Sequence, residues 1–172
     1  MKQIIIIAVA LLFSFSGMAQ KFAYVDMEYI LGKMPQYNEA QKQLDKVAEG
    51  WQKEVEAKMK AVEDMYKQFQ AEQVLMTEPM KQQKIKEIEG KEKDVKEFQK
   101  NKFGPNGELF KKRQELIKPI QDKIYEEIQK YATAKTLDII FDRSSGPTML
   151  YASEKLNRSD DILSALGINP KP

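Results

Sequence analysis

The sequence predicts an α+β protein that is mostly α, in which a long antiparallel helical hairpin projects from a small β-sheet body built from the N- and C-terminal strands. Between residues 37 and 102 nearly every residue is charged or a helix former, and apolar residues recur there at three- and four-residue steps. Short segments rich in aromatic and β-branched residues stand near both ends of the chain. Because a narrow apolar stripe cannot fold alone, the long helix needs a second helix beside it.

The N-terminus has the features of an export signal. A basic residue, Lys2, precedes the almost entirely apolar residues 4–15, and the small residues Gly17 and Ala19 follow at the positions read before cleavage. The apolar run is too short to span a bilayer comfortably. We therefore expect residues 1–19 to be a signal peptide cleaved after Ala19, and an uncleaved N-terminal anchor is the alternative.

Composition excludes several classes of site. The chain has no cysteine and no histidine, which excludes disulfides, thiol catalysis, histidine acid–base chemistry and most zinc sites. The formal net charge of +2 argues against nucleic acid as a main ligand. We expect no catalytic residue, no metal and no cofactor. An enzymatic alternative would have to rest on Asp138 and Asp142, which face the same side of a predicted strand.

The N-terminal half alternates between strand, helix and turn signals. Residues 22–26 are a predicted strand, and Asp26 is placed to cap the helical turn behind it. The first long helix starts near residues 36–38. It ends at a hairpin tip near residues 75–80, where Pro79 fits the first turn of the return helix.

The C-terminal half returns from helix to strand. Two glycines and a proline within residues 104–107 must end or sharply kink the return helix. Residues 137–142 are a predicted strand, and residues 148–152 are a second one after a turn. Ser159 is expected to cap a final short helix that stops at Gly167.

These elements predict three parts. Residues 1–19 are the signal peptide, and residues 37–107 are the helical hairpin arm. Residues 20–36 and 108–172 form a β-containing oligomerisation body with the base of the helices. Because three short strands bury little core and leave two edges, sheets from several subunits are expected to close against one another.

The order of these elements resembles the Skp/OmpH family of periplasmic holdase chaperones. The resemblance rests on the export signal, the opening strand at residues 22–26, the charged hairpin, the closing strand at residues 137–142 and the aspartate-bearing helix at residues 160–162. It implies a homotrimer whose three arms enclose a cavity, where unfolded outer-membrane proteins are held without ATP. The break at residues 104–107 departs from a minimal arm of this family.

Three sets of candidate residues follow. The client-binding set contains apolar residues of the arm, where flexible methionines suit promiscuous contacts. It is Met59, Val62, Met65, Tyr66, Phe69, Met76, Met80, Ile85 and Ile88. The charged set could attract acidic clients or contact an anionic membrane surface weakly; it is Lys81, Lys84, Lys86, Lys91 and Lys93. The oligomer-interface set is Phe22, Tyr24, Val25, Ile139, Phe141, Leu150 and Tyr151.

Each set has a structural alternative. The methionines can pack between the two helices, the lysines can form a solvated face paired with nearby acids, and the strand aromatics can belong to the core of one subunit. The single tryptophan, Trp51, is expected to pack near Phe110 or Arg113. For the whole protein, the alternative to a holdase is a structural coiled-coil envelope spacer or adaptor, whose apolar stripe would be fully used internally.

Overall fold

The computed structural model describes residues 20–146 and 149–170. The predicted signal peptide lies outside these residues, as do Pro147 and Thr148 of the predicted turn and second strand. In chain order the main elements are β1 Phe22–Val25, α1 Met27–Lys33, α2 Pro35–Glu72, α3 Glu78–Phe103, α4 Glu108–Lys135, β2 Ile139–Asp142 and α5 Ser159–Ala165. Short 3₁₀ turns are present at Gln73–Leu75 and Glu154–Leu156.

The described chain forms two compact units. The first contains the residues up to Ile30 and from Tyr125 onward, and the second is Leu31–Ile124. These limits differ from the body and arm expected from the sequence, and that division stays a prediction. Of the helices in the two described stretches, none has the length and apolar character needed to cross a bilayer.

A two-stranded parallel sheet joins the two ends of the chain in the first unit. Strand β1 pairs with β2 so that Phe22 lies opposite Ile139 and Val25 lies opposite Asp142. The prediction that N- and C-terminal strands share one sheet is therefore confirmed. Parallel pairing requires a long crossover, which is provided here by all the helices between the two strands.

The buried side chains of the first unit come from β1, α1 and α5. The apolar ones are Ala23, Tyr24, Val25, Met27, Ile30, Ile162 and Leu163, and Ser159 is a buried polar one. Helix α1 begins as predicted, because the carboxylate of Asp26 accepts a hydrogen bond from the backbone N–H of Tyr29 at 2.9 Å.

Ser159 does not cap α5, which corrects the prediction. Its hydroxyl accepts a hydrogen bond from the backbone N–H of Asp26 at 2.9 Å, and it donates one to the side chain of Asn157 at 2.7 Å. The Asn157 side-chain oxygen in turn accepts from the backbone N–H of Ser159. The buried Ser159 hydroxyl thus provides an acceptor for the backbone N–H of Asp26 at the end of β1. Leaving that N–H without a partner would cost free energy of folding. Gly167 ends the helical region with φ +75°, as expected.

The described part of the predicted second strand, residues 149–152, is not a strand, which corrects that prediction. Its composition suits a strand, but extended backbone is stabilised only when a neighbouring strand takes up its hydrogen bonds. Leu150 and Tyr151 are 95% and 87% exposed. Nothing in the described chain therefore covers these two side chains.

Helices α2 and α3 form the hairpin of the second unit. The chain reverses at the 3₁₀ turn Gln73–Leu75 and the two residues after it, and Pro79 lies in the first turn of α3 as predicted. One apolar cluster packs α2 against α3, with Val62, Ile88 and Val95 at its centre.

The second unit also contains the predicted interruption of the return helix. Helix α3 ends at Phe103 and α4 begins at Glu108, so the prediction for residues 104–107 is confirmed. A second apolar cluster packs α2 against α4, with Ala40, Leu44 and Ile117 buried at its centre.

Candidate functional site

The client-binding candidates divide into an inner and an outer group. Val62 and Ile88 are buried between α2 and α3, and Met65 and Phe69 pack half-buried against them. These side chains hold the hairpin together by removing apolar surface from water. Ile88 is fully buried and Val62 nearly so, which leaves these two side chains little surface to offer to a client; the client-binding set stays a prediction.

The outer group remains in contact with solvent. Met59, Tyr66, Met80 and Ile85 keep 57%, 41%, 53% and 42% of their surface exposed, and Met76 is half-buried. The exposed part of these apolar side chains is not used in the packing of the hairpin. They are free to contact another apolar chain.

Three of the candidates line one groove along the α2–α3 hairpin, here named the α2 groove. It has a volume of about 640 Å³, and its apolar lining is Met59, Val62 and Tyr66. Its polar lining is Glu56, Lys60, Glu63, Asp64, Lys67 and Glu92. Most of these residues recur at helical spacing along α2, and Glu92 is contributed by α3.

Carboxylates govern the electrostatics of the α2 groove. The negative charge of Glu92 is the main cause that raises the pKa of Tyr66, with further contributions from burial and from Glu89. Glu63 is paired with Lys67, and the hydrogen bond from that ammonium lowers the pKa of the Glu63 carboxyl. The exposed phenol therefore lies in a negative potential.

The hairpin tip carries apolar residues that the sequence reasoning missed. Val74 and Leu75, at the 3₁₀ turn, are 82% and 87% exposed. The available signal was their position directly before the turn residues Thr77 and Pro79, where the helices separate and neither can cover the other's side chains.

The lysine set of α3 is largely occupied by pairs within its own helix. Lys81 pairs with Glu78 and Lys84 with Glu87, at 2.8 and 3.0 Å, and Lys91 and Lys93 have longer contacts to nearby acids. Exposed pairs of this kind contribute about 0.2–0.5 kcal/mol each to a helix. The structure thus favours the solvated-face alternative for these four lysines.

Trp51 lies beside the break at residues 104–107, here named the joint between α3 and α4. Its ring meets the ring of Phe103 edge-on at 6.3 Å, and the Lys102 ammonium lies 4.6 Å from the Trp51 ring centre. Lys102 also pairs with Glu108 across the break at 2.7 Å. The expected neighbours, Phe110 or Arg113, are not those observed, because α3 ends opposite the tryptophan.

The first unit exposes an apolar surface along its sheet. A cavity of about 690 Å³ is lined by both strands and by residues 149–152, and the rings of Phe22 and Phe141 lie 6.4 Å apart there. Phe22, Ile139 and Phe141 are 40–48% exposed. Tyr24 and Val25, also in the interface set, are instead buried by residues of their own protomer.

The two aspartates of the predicted strand, Asp138 and Asp142, act as hydrogen-bond acceptors; Asp138 directly precedes β2. Asp138 accepts from the backbone N–H of Lys21 at 2.7 Å, and Asp142 accepts from the backbone of Met27 and Ser144. Burial opposes ionisation of Asp142, but hydrogen bonds donated by the hydroxyls of Ser145 and Ser144, together with those from the two backbone N–H groups, outweigh it and lower the pKa of the carboxyl. No cluster of acidic residues suited to a metal ion occurs in residues 20–146 and 149–170.

Known proteins resemble this chain in sequence and in fold. The model of a family described as "Outer membrane protein (OmpH-like)" matches residues 21–166. An uncharacterized protein of Aquifex aeolicus (strain VF5) is 28% identical over 145 residues, which are 84% of this chain and 85% of the relative.

A solved structure resembles the chain in fold. The crystal structure of a proposed outer membrane chaperone (OmpH-like) from Caulobacter crescentus CB15 aligns with a TM-score of 0.66 over 89% of each chain. The two sequences are 13% identical in this alignment, so the match establishes a shared fold.

Proposed function

The chain belongs to the OmpH-like outer membrane protein family, and on this premise we propose that it is an ATP-independent holdase chaperone. It binds unfolded outer-membrane proteins in the periplasm, to which the predicted signal peptide directs it, and prevents their aggregation. It acts as a homotrimer whose arms surround the client.

The observation that supports this function is the outward position of apolar side chains on the hairpin. A structural spacer would use its apolar stripe inside the hairpin, as Val62 and Ile88 are used. Met59 and Tyr66 lie on the same hairpin but face solvent, and Leu75 is exposed at its tip. These exposed side chains are available for contact with another molecule, and an unfolded apolar chain is a suitable partner.

The energetics of the proposed binding rest on several weak contacts. Complete burial of one large apolar side chain contributes about 1.5–3 kcal/mol, and partial burial against a moving client contributes less. Several arms that act on one client raise the effective concentration of these contacts, so binding needs no single tight site. A client can then be released without an energy source.

The apolar surface of the sheet supports the proposed trimer. Phe22, Ile139 and Phe141 are about half exposed, and Leu150 and Tyr151 are almost fully exposed. Among the described residues β2 pairs with β1 alone, whereas the other edge of β1 is met by Asn157 and Arg158. The free edge of β2 is of the kind that native proteins cover or pair. Contact between copies of this unit would remove both costs, and residues 149–152 would gain a strand partner.

The function is tested by diluting a urea-denatured outer-membrane β-barrel protein into buffer with the purified chaperone and following turbidity. The double variant Met59→Ser, Tyr66→Ser removes two outward contacts of the hairpin. We expect it to need about tenfold more protein for equal protection, which corresponds to a loss of about 1.4 kcal/mol.

The matched control is Phe110→Ser, Tyr125→Ser, which removes two exposed large side chains of α4. It should protect like the wild type. If the wild type leaves the client to precipitate, the holdase proposal is wrong. Equal protection by all three proteins would show that Met59 and Tyr66 do not contribute to client binding.

A further inference from the structure

The α2 groove combines an apolar floor with an unequal set of charges. Met59 and Tyr66 are exposed along it, and Val62 lies at its base. Four carboxylates line the groove against two ammonium groups; the carboxylates are those of Glu56, Glu63, Asp64 and Glu92, and the ammonium groups are those of Lys60 and Lys67. One pair, Glu63 with Lys67, neutralises itself.

After this pair, the carboxylates of Glu56, Asp64 and Glu92 remain against the one ammonium group of Lys60, so the remaining charge that lines the groove is negative. Glu56 and Asp64 belong to α2, whereas Glu92 lies on α3. The raised pKa of Tyr66 has Glu92 as its main cause and Glu89 as a further one, which agrees with a negative potential at this position. Acidic residues of both helices therefore act on one apolar surface.

We infer that the α2 groove is a subsite for client segments in which apolar side chains are flanked by lysine or arginine. This inference rests on the proposed holdase function and adds a charge preference to it. The apolar side chains of the client contact Met59 and Tyr66, and its flanking cations face the carboxylates of the rim.

Lysine and arginine suit the groove for two further reasons. Their long aliphatic stems can cover apolar surface while the charged group stays in water, so they contribute contact as well as charge. A cation over the exposed ring of Tyr66 also gains a cation–π contribution. A client segment with acidic flanks would meet like charges from Glu56, Asp64 and Glu92.

The inference is tested with two fluorescent peptides that share one apolar core, flanked by lysines in one and by glutamates in the other. Fluorescence polarisation with the purified protein should show about tenfold tighter binding of the lysine peptide at low salt, because several exposed charges contribute small terms. The difference should shrink as the salt concentration rises and screens the charges.

A triple variant of the groove, Glu56→Gln, Asp64→Asn, Glu92→Gln, should abolish the preference. The control triple variant Asp45→Asn, Glu54→Gln, Glu97→Gln changes the net charge equally on the same two helices, outside the groove, and should keep it. Loss of the preference in both variants would assign it to net charge and overturn the inference.

The failure of this inference differs from the failure of the proposed function. If the wild type keeps the unfolded barrel protein soluble but binds both peptides equally, the charge preference is wrong and the holdase function stands. If the wild type neither protects the client nor binds either peptide, the proposed function fails and the inference fails with it.

Discussion

Replacing Gly104 or Gly107 by alanine should destabilise the joint between α3 and α4. A Cβ atom on Gly104 would lie 2.4 Å from the backbone oxygen of Lys100, and one on Gly107 would lie 2.8 Å from that of Asn101. Both distances are far below van der Waals contact, and the atoms that are met belong to the backbone, which cannot rotate away as a side chain can. Overpacking of this kind costs about 1–3 kcal/mol of the free energy of unfolding.

Two other glycines provide a control in which replacement by alanine should raise, not lower, the free energy of unfolding. Gly50 and Gly90 lie inside α2 and α3, and a Cβ atom at either position meets no atom within 4 Å. Alanine is favoured over glycine in a helix interior by about 0.5–1 kcal/mol. The variants Gly50→Ala and Gly90→Ala should therefore raise the free energy of unfolding slightly.

The single tryptophan allows the joint to be observed directly. Trp51 contacts Phe103, the last residue of α3, and lies beside Lys102, which pairs with Glu108 at the start of α4. Urea denaturation followed by Trp51 fluorescence and by circular dichroism should shift to lower urea for the Gly104→Ala and Gly107→Ala variants. Their native fluorescence should also change, because the surroundings of the indole ring are displaced.

The two pairs of glycines should respond to alanine with changes in stability of opposite sign. Equal free energies of unfolding for all four variants would refute this contrast, as would stabilisation by Gly104→Ala. A displaced fluorescence spectrum without a change in stability would show that the joint can move at no cost.

Two further predictions concern the packing of the hairpin and the pH range of stability. Ile88→Ala should lower the free energy of unfolding by about 2–5 kcal/mol in urea denaturation, because the side chain is fully buried between α2 and α3. Burial, together with the hydrogen bond to Asp161, raises the pKa of Tyr131 to about 12. This folded value lies above the ordinary value of 10.0, so the contribution of Tyr131 to stability is complete below pH 10.0 and is lost as the pH rises through about 12.

Each of these predictions has its own control. Ile85→Ala removes a side chain that is 42% exposed and should cost much less than Ile88→Ala; equal losses would contradict the assigned packing. For Tyr131, the tyrosinate absorbance of the wild type minus that of Tyr131→Phe should titrate near pH 12. A midpoint at the ordinary value would contradict the burial and the hydrogen bond to Asp161.

Local composition was sufficient to predict most of the elements. Nearby residues predict the long helices and the break at residues 104–107. The pairing of the N- and C-terminal strands in one sheet follows because an antiparallel hairpin brings its two ends close together. Residues 149–152 differ, because strand formation depends on a partner that composition cannot supply. The role of Ser159 could not be predicted from nearby residues, because its hydroxyl accepts a hydrogen bond from the backbone N–H of Asp26, which is distant in sequence.

The sequence alone could predict the candidate site only as a stripe of apolar residues along one helix. Helical spacing places Met59, Val62 and Tyr66 close together on α2, but the register of the partner helix decides which of them is covered. Val62 is turned toward Ile88, whereas Met59 and Tyr66 remain outside. The negative rim of the groove depends on the same register, since it includes Glu92 of α3.

The most direct test of the proposed function is light scattering during size-exclusion chromatography of the purified protein, alone and after mixing with a urea-denatured outer-membrane β-barrel protein. We expect the protein alone to elute with the mass of a trimer. With the client it should elute as a soluble complex of defined mass that contains both proteins. A monomer or dimer that elutes without the client, while the client precipitates, would contradict the holdase function and favour the structural spacer.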